Sequence, residues 1–242
     1  MKNLKTKLRE SLIKITGYYI LKEHALPVGC DLIIDLKSKI NFPISTIFDI
    51  GANVGQTAIW FNDYFKNANI YSFEPVKKTY SKLLDNTNNI EQIKCFNFAF
   101  GEKEELINIK LFAEESSTLN SLKELSQNID SDFTETIQVI SGDLFCTQNN
   151  INQIDLLKID TEGFEIEVLK GFYEMLKNSQ IKAIYCEVGF PSENNRNTFI
   201  NKIFDFMMAN NFKFYGLYEI NNMPIKRSVN YGNALFINQN FL

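Results

Sequence analysis

The stretch Asp49-Ile-Gly-Ala-Asn-Val-Gly55 sets a carboxylate just ahead of a G-x-x-x-G turn. Glycine lets a backbone turn tightly and approach a ligand with no Cβ in the way. A helix-forming stretch follows from Gln56. A helix start offers free N–H groups and a positive dipole end, which suit a carboxylate or a phosphate. About 20 residues further on, where dinucleotide-type folds place an acid on the ribose, Tyr71-Ser-Phe-Glu74-Pro75 ends a strand-like run in a carboxylate. A carboxylate accepts both hydroxyls of a vicinal diol with charge-assisted strength. Asn97-Phe-Ala-Phe-Gly101 comes next and is placed to wall an adenine.

Two details separate this pattern from a nicotinamide dinucleotide site. The spacing is not G-x-G-x-x-G. The acid at Asp49 would repel a pyrophosphate, whereas it suits a ligand that carries an ammonium and a sulfonium. The expected cofactor is therefore S-adenosylmethionine. Its expected contacts are Asp49, Gly51, Ala52, Asn53, Gly55, Gln56, Glu74, Pro75, Phe98 and Ala99.

A third constellation is Asp155-Leu-Leu-Lys-Ile-Asp160-Thr-Glu162-Gly-Phe-Glu165, joined by Glu187 at the end of a later apolar run. Methyl transfer to oxygen is an in-line displacement that gains from placing the acceptor and from a base beside a weakly nucleophilic hydroxyl. Asp160 or Glu162 is expected to orient or deprotonate the acceptor, with Glu187 in support. The competing reading has Glu162 and Glu165 capping the next helix, since acids favour a helix N-terminus. Lys158 is expected to pair with one of these acids. Three carboxylates could hold Mg²⁺ or Ca²⁺, but no metal ligand set is assigned. Ser116-Ser117-Thr118, in a polar stretch, reads equally as an acceptor lid or as a solvated loop.

Strands must bring these groups to one edge. Period-two and apolar runs predict strands over 46–50, 69–73, 93–98, 154–159 and 181–188, with helices over 56–65, 77–86, 165–177 and 199–210 between them. Residues 106–111 and 137–140 form a pair of extra strands. Residues 212–218 and 234–237 follow with no helix between them and read as an antiparallel hairpin. Alternating strands and helices imply a doubly wound, mostly parallel α/β sheet of Rossmann-like type. The closing hairpin marks it as the methyltransferase variant. The expected division is an N-terminal helical extension over 1–43 and the Rossmann-like domain over 44–242.

The chain has 242 residues and a net charge of −4, which disfavours a nucleic-acid partner. Cys30, Cys95, Cys146 and Cys186 form no CxxC motif, and His24 is the only histidine, so no multi-histidine metal site exists. The cysteines are expected to be reduced thiols in a cytoplasm. No apolar run reaches the ~18 residues of a membrane span. Arg9, Glu10 and Lys14 interrupt what would be the apolar core of a signal peptide. Leu4, Leu8, Leu12, Ile15 and Tyr19 recur at helical spacing over 2–23. That helix could pack on the domain, carry a homo-oligomer contact, or touch a membrane surface with its lysines.

The chain resembles the FkbM-type methyltransferases, a branch of the class I S-adenosylmethionine enzymes. The resemblance runs over about 46–190 and rests on the glycine turn at 49–55, Phe73-Glu74-Pro75, Ala99-Phe100-Gly101, the stretch 158–171 and Glu187. The family's Leu-Asp pair before the fourth strand is matched only by Gly142-Asp143-Leu144. The first 40 and last 50 residues match nothing in the family pattern. The resemblance implies O-methylation of a hydroxyl on a saccharide, nucleotide sugar or related glycan precursor. A lipid or secondary-metabolite acceptor, or a non-catalytic cofactor-binding module, stands as the alternative.

Overall fold

The structure, a computed structural model, describes residues 4–18, 22, 25–38, 40, 42–111, 133–191, 196–222 and 229–242. The expected lid residues Ser116, Ser117 and Thr118 lie outside the described residues. Two compact units divide the chain, Met1–Ile40 and Asn41–Leu242.

The first unit holds helices α1 (Leu4–Thr16) and α2 (Leu32–Ser38). The expected helix over 2–23 stops early because Gly17 takes φ 73°. Its N–H closes the last turn on Ile13 O at 2.8 Å, as a left-handed glycine cap does. Helix α2 was not foreseen.

In the second unit the alternation holds. Strands β1 (Thr46–Ile50), β2 (Asn69–Phe73), β3 (Ile93–Phe96), β7 (Ile154–Ile159) and β8 (Ile181–Gly189) are parallel. Strands β9 (Phe212–Asn222) and β10 (Val229–Asn238) close the sheet antiparallel, giving the order β3-β2-β1-β7-β8-β10-β9. Every residue of β7 and β8 is buried. That is the signature of central strands covered on both faces, and it explains their unbroken apolar runs.

The single strand expected over 93–98 splits. After Phe96 the chain leaves the main sheet, and β4 (Ala99–Phe100) joins β5 (Glu105–Leu111) and β6 (Phe133–Ile140) in a three-stranded sheet of order β4-β6-β5. The extra pair is thus real and antiparallel. The helices are α3 (Gln56–Tyr64), α4 (Lys77–Thr87), α5 (Gly142–Gln148), α6 (Glu165–Lys170), α7 (Tyr173–Lys177) and α8 (Ile200–Ala209). The helix expected over 165–177 is two helices. Gly171 sits so close to the turn after β4 that a Cβ there would lie 2.2 Å from Gly101 O, and the chain bends at that contact.

A large apolar core with a phenylalanine cluster at its centre packs around the main sheet, and a smaller one of Val76, Ala99, Ile109, Ile137 and Val139 packs on the three-stranded sheet. Phe48, Phe73, Phe100 and Phe145 pack around one another, the tightest pair being Phe73 and Phe100 at 4.6 Å between ring centroids, edge to face. Offset and edge contacts of this kind add about 0.5–1.5 kcal/mol per pair beyond burial. The cluster lies directly under the carboxyl edge of β1, β2 and β4, so it is the floor on which the site stands.

Candidate active site

The glycine turn is held from both neighbouring strands. Gly51 and Ala52 both donate N–H to Phe73 O of β2, at 3.1 and 3.0 Å. On the other side Asp160 N donates to Ile50 O at 3.0 Å. A Cβ on Gly51 would lie 1.8 Å from Asp160 O, so only glycine fits between the ends of β1 and β7. Asn53 (φ 50°) and Gly55 (φ 92°) take left-handed backbone to turn the chain into α3. Asparagine tolerates that region better than other side chains.

Beneath the turn, Lys158 of β7 is buried. Its Nζ lies 3.0 Å from Asp49 Oδ1, 3.0 Å from Gly51 O and 3.7 Å from Asp160 Oδ2. Burial pulls the ammonium down, but Asp49 and then Asp160 more than offset it and leave its pKa raised. Lys158 thus pairs with Asp160 as the sequence suggested, and more closely with Asp49. Asp49 does not face the cavity; it is fully buried and serves as counter-ion under the turn.

Glu74, at the end of β2, accepts N–H from Val76 at 3.0 Å and from Asn53 at 3.1 Å. Burial pushes its carboxyl up to about 7, against the pull of those two N–H groups and of Lys158. Asn97 donates to Glu74 O and Pro75 O at 2.9 and 2.8 Å and fixes the strand end.

A cavity of about 340 Å³ opens on this edge. Of the expected cofactor contacts, Gly51, Asn53, Gln56, Glu74, Pro75, Phe98 and Ala99 line it, while Asp49, Ala52 and Gly55 do not. All three expected catalytic residues, Asp160, Glu162 and Glu187, line it too. The residues suit an adenosine-type cofactor. Glu74 offers a diol-accepting carboxylate, Phe98 an apolar wall, and Asn53 Oδ1 is a buried acceptor with no hydrogen-bond partner among the described residues. Such an orphaned acceptor is uncommon and fits a ligand donor.

The acidic rim is organised by a segment that the sequence reading passed over. Three consecutive residues before α8 each hold one carboxylate. Arg196 donates two hydrogen bonds to Glu162, Asn197 Nδ2 donates to Glu187, and Thr198 donates through Oγ1 and through its N–H at 3.3 Å to Glu165. The other Glu165 oxygen accepts from Thr161 N, Thr161 Oγ1 and Gly163 N at 3.1, 3.2 and 2.9 Å. Glu165 is therefore the tie of this loop, at the start of α6, while Glu162 turns into the cavity on left-handed backbone (φ 54°). A non-glycine residue there stores about 1–3 kcal/mol that its surroundings must hold.

Burial raises the carboxyls of Glu162, Glu165 and Glu187, with Arg196 opposing it at Glu162. Glu187 stands well above the usual carboxylate range, because the charges of Asp160, Glu162 and Glu165 add to its burial. Tyr231 of β10 and Ile109 of β5 also line the cavity and were not foreseen. Tyr231 reaches this edge because β10 runs antiparallel and its first residues pair with Gly189 at the carboxyl end of β8, while Ile109 comes from the three-stranded sheet, so no local signal marks either. Among the described residues, no three His, Cys, Asp or Glu side chains are grouped to hold a metal ion.

The sequence matches the family model described as methyltransferase FkbM domain over residues 49–214. Among curated proteins it is 27% identical over 146 residues to Methyltransferase 1 of Beauveria bassiana, covering 52% of this chain and 58% of that protein. It is 25% identical over 143 residues to the hexuronic acid methyltransferase AglP of Haloferax volcanii, covering 59% and 56%. It is 23% identical over 161 residues to the 2-O-methyltransferase NoeI of Sinorhizobium fredii, covering 62% and 65%. The chain thus matches less than two thirds of the length of each of these relatives. The crystal structure of methyltransferase FkbM from Methylobacillus flagellatus superposes with a TM-score of 0.51 at 15% identity, over 83% of this chain and 45% of that one. At that identity the likeness speaks for the fold. With its family match running from the glycine turn to β9, the chain belongs to the FkbM family of S-adenosylmethionine-dependent methyltransferases.

Proposed function

We propose that this chain is an O-methyltransferase that methylates a hydroxyl of a saccharide, nucleotide sugar or related glycan precursor, and that Asp160, Glu162 and Glu187 serve the acceptor. The observation that carries the reading is one cavity with two chemically distinct ends. One end presents Glu74 and the glycine turn; the other presents three carboxylates, two of them raised by burial. When bound, S-adenosylmethionine supplies an electrophilic methyl group on sulfur. The glycine turn, Asn53 and Glu74 bind the adenosine and amino-acid parts, and Phe98 and Ala99 flank the base.

Glu187 is the group best suited to take the acceptor's proton. It is buried, it holds a proton more firmly than an ordinary carboxylate, and Asn197 fixes its orientation. A base must be ionised to accept a proton, so with Glu187 raised to about 9 this role predicts turnover that rises with pH toward that value. Asp160 is the most exposed of the three and is placed to accept a hydrogen bond from the acceptor. Glu162, tied to Arg196, sets the width of that end. The relatives named for hexuronic acid and 2-O methylation support a sugar acceptor.

The test is calorimetric titration with S-adenosylhomocysteine, with NAD in parallel, on wild type and Glu74→Ala. It is paired with transfer of labelled methyl from S-adenosylmethionine to a panel of sugars and nucleotide sugars. Homocysteine-nucleoside binding that Glu74→Ala weakens, with label in a sugar ether, is the expected result. Binding without transfer to any hydroxyl would leave a cofactor-binding module and overturn the enzymatic reading.

A further inference from the structure

Helix α1 belongs to the first of the two compact units. Within it Leu4, Leu8, Leu12 and Ile15 fall on one stripe at 3.6 residues per turn. All four are exposed, Ile15 at 82% and Leu4 at 79%, and no residue of α1 is buried. On a helical projection Lys5 and Arg9 flank one edge of the stripe, and Lys7 and Lys14 flank the other. Glu10, the only acid, lies on the opposite face. Four cations against one carboxylate make this segment positive in a chain whose net charge is −4.

A helix of 13 residues is marginal in water by itself, since isolated helices shorter than about 12–15 residues pay a nucleation cost that few hydrogen bonds repay. It gains stability by burying its stripe. It is too short to cross a bilayer, which takes about 20 residues. An apolar stripe bordered on both edges by Lys and Arg matches a helix lying in a membrane interface. There the leucines enter the acyl boundary and the long basic side chains reach up to the headgroups. A second copy of the same helix is a poorer partner, because its cations would face like charges along both edges.

We propose that α1 docks this protein on an anionic lipid surface, with Leu4, Leu8, Leu12 and Ile15 as the inserting face and Lys5, Lys7, Arg9 and Lys14 as headgroup contacts. The test uses the full chain and cosedimentation with vesicles of pure phosphatidylcholine, or of phosphatidylcholine and phosphatidylglycerol in equal amounts. Homocysteine-nucleoside binding by each variant verifies that the α/β unit is folded.

The expected result is binding at least tenfold stronger to the anionic vesicles, on the scale of several surface cations. It should weaken as salt shortens the Debye length from about 10 Å at 0.1 M to about 3 Å at 1 M. Leu8→Glu with Leu12→Glu abolishes it. Lys5→Gln with Arg9→Gln and Lys14→Gln removes the preference for the anionic lipid. Equal binding to both vesicles, or none, overturns the proposal. So does a dimer in sedimentation equilibrium that the two leucine substitutions dissociate, which would assign the stripe to a second copy of the chain.

Discussion

The two ends of β7 hold buried carboxylates in opposite states. At the start of the strand, Asp155 accepts from Ser45 N, Ser45 Oγ and Thr46 N at 2.8, 2.8 and 2.9 Å, and Lys182 Nζ lies 2.7 Å away. Lys182 is itself held between the rings of Phe42 and Phe241. Burial alone would raise the Asp155 carboxyl, but Lys182 and the Ser45 and Thr46 donors outweigh it and hold it below the usual range. At the carboxyl edge of the sheet, Glu187, Glu162 and Glu74 are buried with fewer compensating partners and burial wins. It wins even at Glu165, whose donors Thr161, Gly163 and Thr198, unlike Lys182 at Asp155, are uncharged. A carboxylate with every lone pair satisfied is part of the scaffold. A carboxylate left short of donors, on a cavity wall, retains chemistry to offer.

The sign of the pH dependence follows the same division. Asp155, held low, stabilises the fold above the ordinary aspartate pKa, and that contribution is lost as pH falls through its depressed value. Glu74, raised from 4.5 to about 7, binds more protons folded than unfolded between those values. Its contribution is present on the acid side and is lost as pH rises through that window.

The sharpest way to break the comparison is at the satisfied end. Asp155→Ala strips Lys182 of its buried partner, and removing one member of a buried pair costs about 3–5 kcal/mol. For a chain of this size that lowers Tm by roughly 6–20 °C, while turnover per folded molecule stays near wild type. Scanning calorimetry with an active-site titration measures both; a large loss of turnover per folded molecule would abolish the contrast.

The unsatisfied end should behave inversely. Glu187→Gln keeps the shape and the Asn197 contact but removes the base, so kcat falls about 100-fold or more. Thermal stability holds near neutral pH, because burial and the charges of Asp160, Glu162 and Glu165 keep the Glu187 carboxyl protonated there, and a neutral amide replaces a neutral acid. If kcat stays within a few-fold, Glu187 is not the base, and Asp160→Asn becomes the variant to examine.

The smallest effect is on the cofactor. Only the ionised Glu74 accepts both ribose hydroxyls, so the dissociation constant for S-adenosylhomocysteine should be about tenfold weaker at pH 6 than at pH 8. Glu74→Gln should flatten that dependence. A flat profile in the wild type would mean that Glu74 is ionised throughout.

Much of this site is legible in the sequence because it is local. Asp49 to Gly55 is one strand end and one turn, and Glu74 and Asp160 close strands whose apolar runs announce them. Position on such a run decides which edge a residue reaches. What the sequence misplaced was contextual. Asp49 reads as a ligand-facing acid until Lys158, more than 100 residues away, arrives beneath it. The Arg196-Asn197-Thr198 segment has no period and no glycine signal, so nothing local marks it.

The residue order by itself determined the alternation of strands and helices, the glycine turn and the acids at the strand ends, because backbone geometry and side-chain period act over a few residues. Tertiary structure alone decided which carboxylates are satisfied. That balance depends on donors supplied by β1, β8 and the segment before α8, and on burial that exists only once the sheet has closed over its phenylalanine core.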